Sequence, residues 1–117
     1  MSNSIDFACQ TIDLTQVVRC SLGLTRAEYR VMLSALKTDN FTVEKMSNKM
    51  NLDRTTIQKG LSKLIKKGLV ERRQLNRDSG GYTYVYAAKD VEIVKKKVKT
   101  TIRSWAKRAE KEVETWQ

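Results

Sequence analysis

Residues 54–66 carry side chains suited to gripping a polyanion and reading its edges. At 3.6 residues per turn, Ile57, Leu61, Leu64 and Ile65 fall on one side of a helix. The opposite side then carries Thr55, Lys59, Ser62 and Lys66, flanked by Thr56, Gln58 and Lys63, with no carboxylate and no large apolar residue among them. A glutamine can pair bidentately with adenine, a lysine can reach guanine acceptors, and threonine methyls can touch thymine. Gln58, Lys59 and the threonines therefore suit base edges, while Ser62, Lys63 and Lys66, further along, suit phosphates. Polar outer faces are common to all surface helices. The informative feature is the absence of acid, combined with the segment C-terminal to the helix.

That segment holds a second set of basic residues. Arg77 lies in a polar turn, with Arg72 and Arg73 in the stretch below it. An arginine on such a turn can enter a minor groove, where the negative potential favours it; the neighbouring Asp78 opposes this. Gly80-Gly81 sits between two alternating segments and does not open a helix, so it reads as a turn and not as a phosphate cradle. Tyr82, Tyr84 and Tyr86 share one face of the second segment. They can stack on single-stranded bases or close the hairpin against the helices, and the second use is the expected one.

Other chemistries are poorly served. The chain has 117 residues and no histidine, which removes the commonest general base and metal ligand. Cys9 and Cys20 are eleven residues apart in sequence, so neither a Cys-x-x-Cys pair nor a zinc site arises. They are expected to be reduced and half-buried. No nucleophile stands with a base, and Glu110, Glu112 and Glu114 fall at an exposed helix end, so an enzyme is not expected and no cofactor or metal is implied. With no long apolar run and no basic start leading into one, the chain is expected to be cytoplasmic.

Length and charge agree. One domain of this size buries roughly 65% of its unfolded surface, enough for a core without metal or disulfide. The net charge is +10, and residues 42–68 carry +5 of it, which points to nucleic acid as the polyanion.

These side chains need elements to hold them. Residues 1–10 read as a loose start. Residues 11–22 form a short helix, with Asp13 and Gln16 spaced as a capping box and Gly23 ending it. Thr25 and Glu28 make a cleaner box opening a helix to Lys37. Its apolar face is Ala27, Val31, Leu33, Ala35 and Leu36, with Tyr29 and Met32 at the edges. A short helix over 43–50 and a turn at 51–53 come next. Asp53 caps helix 54–67, and Gly68 ends it in the left-handed conformation. Gly60 costs about 1 kcal/mol relative to alanine inside that helix, and a close neighbouring helix or backbone is its expected reason. The period then changes to 2: strands over 69–75 and 82–87 enclose the turn 76–81. Helix, turn, helix and hairpin in that order make a winged helix-turn-helix, mainly α with a β-hairpin (α+β), over 11–88.

From 89 to 117 a helical pattern runs without a breaker. Val94, Val98, Ile102, Trp105, Ala109, Val113 and Trp116 recur with an eleven-residue period, a nearly straight seam. The helix can lie on a membrane surface through its lysines, pack on its own domain, or pair with a second copy. Two tryptophans on a protruding seam favour pairing, which makes 89–117 a dimerisation helix.

The sequence also resembles a family. Leu24-Thr25-Arg26-Ala27-Glu28-Tyr29, Thr42-Val43-Glu44-Lys45-Met46-Ser47, Asp53-Arg54-Thr55-Thr56-Ile57-Gln58-Lys59, Leu64-Ile65-Lys66-Lys67-Gly68-Leu69-Val70-Glu71-Arg72 and Gly80-Gly81-Tyr82-Thr83-Tyr84-Val85-Tyr86 are similar to segments of the small archaeal TrmB-like transcriptional regulators, winged-helix proteins of MarR-like architecture. The resemblance implies a dimeric regulator of double-stranded DNA, with Arg54, Thr55, Thr56, Gln58 and Lys59 reading or touching the duplex. The sugar-binding domain of larger TrmB proteins has no counterpart here, so the resemblance assigns no effector ligand. Two other functions compete: a sequence-independent architectural DNA binder, and a winged-helix protein-interaction module of the transcription machinery.

Overall fold

The structure, a computed structural model, describes residues 3–117. It has five helices and two antiparallel hairpins in the order β1 (Ser4–Phe7), β2 (Gln10–Asp13), α1 (Leu14–Leu22), α2 (Arg26–Leu36), α3 (Val43–Met50), α4 (Arg54–Lys66), β3 (Val70–Asn76), β4 (Tyr82–Ala88) and α5 (Val91–Glu114). The α+β winged-helix expectation is met.

Helix ends follow from local chemistry. The Thr25 hydroxyl accepts from the Glu28 amide at 3.2 Å while the Glu28 carboxylate accepts from the Thr25 amide at 2.8 Å, completing the expected box. Asp13 caps α1 differently from expectation: its carboxylate accepts from Thr15 N at 2.8 Å, one residue short of Gln16. Gly68 ends α4 as expected. At φ +73° it lets its own amide donate to Ile65 O and that of Leu69 donate to Leu64 O, both at 2.9 Å.

The core lies between α2, α3, α4 and the second hairpin, with Val31, Met32, Met46, Ile57, Leu61, Leu64, Leu69 and Val70 almost fully buried. Along α2 the buried stripe is Val31, Met32 and Ala35, whereas Ala27 and Leu33 are exposed. Met32 takes the place expected for Leu33 because steps of three and four residues along the helix keep one face, and a step of two does not. Gly60 is buried against α2, and a Cβ built there would sit 3.6 Å from Val31 Cγ2, an ordinary contact. Gly60→Ala is therefore expected to raise the unfolding free energy by up to about 1 kcal/mol. Urea unfolding checks this, and a loss of stability would show that Val31 cannot make room.

Strands β3 and β4 pair from Val70–Ala88 to Asn76–Tyr82 and leave residues 77–81 as the wing tip. Phe41, between α2 and α3, bridges Tyr86. Its amide donates to Tyr86 O at 2.9 Å, the Tyr86 amide returns a bond to Phe41 O at 2.8 Å, and the rings stack. This one-residue third strand ties the wing to the segment leading into α3.

Two segments depart from expectation. Residues 1–10 are not simply a loose start: Ser4–Phe7 pairs with Gln10–Asp13 in a tight hairpin, Met1 and Ser2 lying outside the described residues. Ser4-Ile5-Asp6-Phe7 alternates as a strand does, but over a length too short to stand out. Helix α5, expected as a dimerisation helix over 89–117, also begins inside the core of the winged-helix body. Val94 and Val98, only 5% and 8% exposed, belong to the core of their own domain, because the first turns of α5 pack there and against α1. The later seam residues are bare, Trp105 at 61% and Trp116 at 81% exposed, with Ala109 half-buried. The helix ends at Glu114, and the molecule reaches 68 Å in its longest dimension.

Candidate nucleic-acid interface

Asp53 fixes the start of α4. Its carboxylate accepts from the Thr56 amide at 3.3 Å and from the Thr56 hydroxyl, and the hydroxyl bond is the main reason its pKa lies below the ordinary value. A carboxylate also suits the positive end of the helix. Beyond this cap, Ile57, Leu61 and Leu64 anchor the inner face. Arg54, Thr55, Gln58, Lys59, Ser62 and Lys66 are all exposed on the outside, as the sequence pattern requires.

Three of the expected contacts are engaged within the chain. Thr56 is half-buried and its hydroxyl serves the cap. Lys63 Nζ lies 3.0 Å from Glu28 Oε1 and so braces α4 against the start of α2. Burial raises the Glu28 pKa, but the Thr25 amide and Lys63 outweigh it, and the net shift is downward. Arg77 is exposed at the wing, with its Nε donating to the Thr83 hydroxyl. These engagements leave no periodic trace in a sequence.

The wing stands beside α4. A cleft of about 270 Å³ between them is lined by Arg54 and Gln58 on one side and Arg77, Tyr82 and Tyr84 on the other, with Glu44 of α3 at its edge. Sequence reasoning did not single out Glu44, the one carboxylate facing this cleft among the described residues. It set Arg72 in the first strand of the hairpin but not its guanidinium 4.2 Å over the Tyr84 ring, nor the edge-to-face pair Tyr82–Tyr84. A hydrogen bond with Tyr84 raises the Tyr82 hydroxyl pKa. Tyr86 is buried and Tyr84 half-buried against the core. The tyrosine face thus closes the hairpin on the helices and leaves only Tyr82 largely bare.

Comparison with known proteins places the chain in a family. Residues 18–92 match the family model described as "Sugar-specific transcriptional regulator TrmB". The chain belongs to the TrmB family. It is 33% identical over 106 residues to the uncharacterized protein MJ1503 of Methanocaldococcus jannaschii, covering 91% of this chain and 80% of that one. A solved structure described as a possible transcriptional regulator from Methanosarcina mazei superposes with a TM-score of 0.90 at 32% identity, covering 100% of this chain and 99% of the other. A MarR-family transcriptional regulator from Silicibacter pomeroyi shares the fold, with a TM-score of 0.54 at 18% identity over 81% of this chain and 65% of that one. This TrmB-family chain is a DNA-binding transcriptional regulator in fold and family. Among the described residues, no helix is long and apolar enough to cross a membrane.

The cysteines correct an expectation. Cys9 and Cys20 are both free, but exposed and not half-buried. Cys9 sits at the tip of the first hairpin, and Cys20 lines an apolar slot between α1, α5 and that hairpin.

Proposed function

We propose that this TrmB-family chain acts as a homodimer that binds double-stranded DNA sequence-specifically, with α4 in the major groove and the wing tip at the minor groove. The observation that carries the reading is the acid-free outer face of α4, where Arg54, Thr55, Gln58, Lys59, Ser62 and Lys66 are exposed beside the wing. Arg54, Gln58 and Lys59 lie in its N-terminal half, the part that meets base edges in helix-turn-helix proteins. Ser62 and Lys66 come later, towards the backbone, and Arg77 reaches the minor groove after exchanging Thr83 for the duplex. Ile102, Trp105, Val113 and Trp116, with Ala109 between them, supply the exposed part of the seam that a second copy covers. The operator is then a pseudo-palindrome with half-sites about 34 Å apart.

A sequence-independent architectural role draws support from α5, where residues 93–109 hold seven Lys and Arg and no carboxylate. Titration on selected and random duplexes separates the two. A regulator shows a specificity ratio of about 10³ or more, and its affinity falls steeply with salt because each phosphate contact contributes about −0.9 to the slope. An architectural protein keeps the salt dependence without the ratio. A protein-interaction module binds neither duplex tightly, and that outcome overturns the proposal.

A further inference from the structure

The C-terminal end of α4 holds a second basic site, apart from the outer face of that helix. A cleft of about 620 Å³ opens there between α1, the end of α4 and the first half of α5, within the size range of small-molecule sites. Its lining includes three ammonium groups, from Lys67, Lys96 and Lys97, and three hydroxyls, from Ser21, Thr100 and Thr101. Leu22 and Ile93 give it an apolar side. Among the described residues no carboxylate lines it.

Two of the lysines are held in place. A Cβ built on Gly23 would lie 2.9 Å from Lys67 Nζ, and one built on Gly68 would lie 3.3 Å from Lys97 Nζ. Lys67 thus crosses from the end of α4 to the end of α1, and Lys97 crosses from α5 to the joint after α4. A helix C-terminus carries about half a negative charge, so two such ends offset about one of the three positive charges. Nearby acids do not offset the rest. Glu92 pairs with Lys95 and Glu71 with Lys89, and among the described residues Lys67, Lys96 and Lys97 form no ion pair. Like charges gathered in one cleft repel, and a multivalent anion relieves that repulsion.

The donor set selects the anion. Each ammonium donates three hydrogen bonds and each hydroxyl one. A phosphate answers them with strong acceptor oxygens and up to about two negative charges. Leu22 and Ile93 offer a surface to a carbon skeleton attached to it. Duplex DNA fits less well. The cleft lies about 20 Å along α4 from Arg54, and none of its lining residues borders the cleft between α4 and the wing.

We propose that this cleft binds a small organic phosphate, with the phosphate among Lys67, Lys96 and Lys97 and the carbon skeleton against Leu22 and Ile93. The ligand touches the ends of α1 and α4 and the flank of α5 at once. It therefore binds most tightly to the arrangement that brings the three closest, and so shifts the seat of the recognition helix on α5. The effector role rests on the DNA reading above; the binding site does not.

The test titrates the full chain with pyrophosphate and with adenosine monophosphate, by calorimetry and by amide NMR shifts. Lys67→Gln with Lys97→Gln is compared with Lys99→Gln with Lys107→Gln, which removes the same charge at exposed positions outside the cleft. The probes are expected to shift Ser21, Thr100 and Thr101 but not Thr55 or Arg77. The cleft pair is expected to weaken both probes by about 10-fold or more, and the outer pair by less than about 3-fold. Adenosine monophosphate is expected to change the duplex affinity of the parent by about 5-fold or more, and that of the cleft pair much less. No binding of either probe at about 1 mM overturns the site. Equal losses in the two pairs also overturn it, since they mark general charge attraction. A cleft pair that loses far more duplex affinity than the outer pair makes DNA the occupant. Probes that dissociate a parent dimer make the occupant the acidic end of a second copy's α5, around Glu110, Glu112 and Glu114. Either result overturns the proposal. Binding of the probes without any change in duplex affinity overturns the effector role alone, and a parent that binds the probes but no duplex overturns the DNA reading while the site stands.

Discussion

Trp105→Glu is expected to yield a folded monomer whose affinity for its operator falls by about 10² to 10⁴, the avidity normally gained by linking two binding modules. The substitution removes a bare side chain, 61% exposed, from the second half of α5 and places a carboxylate on the seam. It does not touch the core, because the turns of α5 that contribute to it are those carrying Val94 and Val98. A buried tryptophan at the centre of an interface commonly accounts for about 2 kcal/mol or more, and a charge left in that position without a counter-ion adds a desolvation cost. The loss of DNA affinity follows from geometry and not from any contact with DNA. When one half-site is engaged, a dimer presents its second recognition helix at an effective concentration of about millimolar, and a monomer presents none. Sedimentation velocity and a duplex titration check the two halves separately. A variant that stays dimeric places the interface away from Trp105. A monomeric variant with full DNA affinity would mean that each chain reads DNA alone.

The same helix shows what a sequence discloses and where it stops. The eleven-residue spacing from Val94 to Trp116 marks an apolar stripe, and that stripe exists. Periodicity says that something covers a stripe but not what, so Val94 and Val98, packed in their own domain, look the same as Trp105, which is bare. The helices α2 to α4 were legible because caps and stripes agree: Thr25 with Glu28, Asp53 with Gly68, and Ile57, Leu61 and Leu64 at steps of four and three. The wing was legible because period 2 and two adjacent glycines coincide. The first hairpin was missed because its strands have four residues each, too few for alternation to register. Phe41 was missed because a single bridge to Tyr86 has no period at all. On the candidate interface, sequence reasoning placed the exposed face of α4 but not the engagements of Lys63 with Glu28, Thr56 with Asp53 and Arg77 with Thr83. The Lys63–Glu28 pair depends on which helices meet, while the Thr56 and Arg77 bonds are local, one completing the Asp53 cap and one crossing the wing.

Because of those engagements, base discrimination should concentrate on few residues. Gln58→Ala and Lys59→Ala are each expected to cost about 1–3 kcal/mol on the preferred duplex and much less on random DNA, which is the value of one good bidentate base contact. Both side chains are exposed in the N-terminal half of α4, and Gln58 also lines the cleft facing Arg77 and Tyr82, so neither change disturbs the core. Lys66→Ala should act differently. It lies in the last turn of α4, where a phosphate is the expected partner, and its loss should weaken every duplex about equally. Two such contacts in a dimer should lower the salt slope by about 2. Lys63→Ala should differ again, since its ammonium is 3.0 Å from Glu28. Breaking a partly exposed pair is expected to cost less than about 1 kcal/mol of stability and to leave the ranking of duplexes intact. Competition binding across a randomised operator library, repeated at two salt concentrations, measures all four variants on one scale. If Gln58→Ala and Lys59→Ala preserve the ranking of sites while Lys66→Ala changes it, base reading has been placed at the wrong end of α4. If none of the three changes it, specificity resides in the wing or in the shape of the duplex, and the outer face of α4 serves only to hold the backbone.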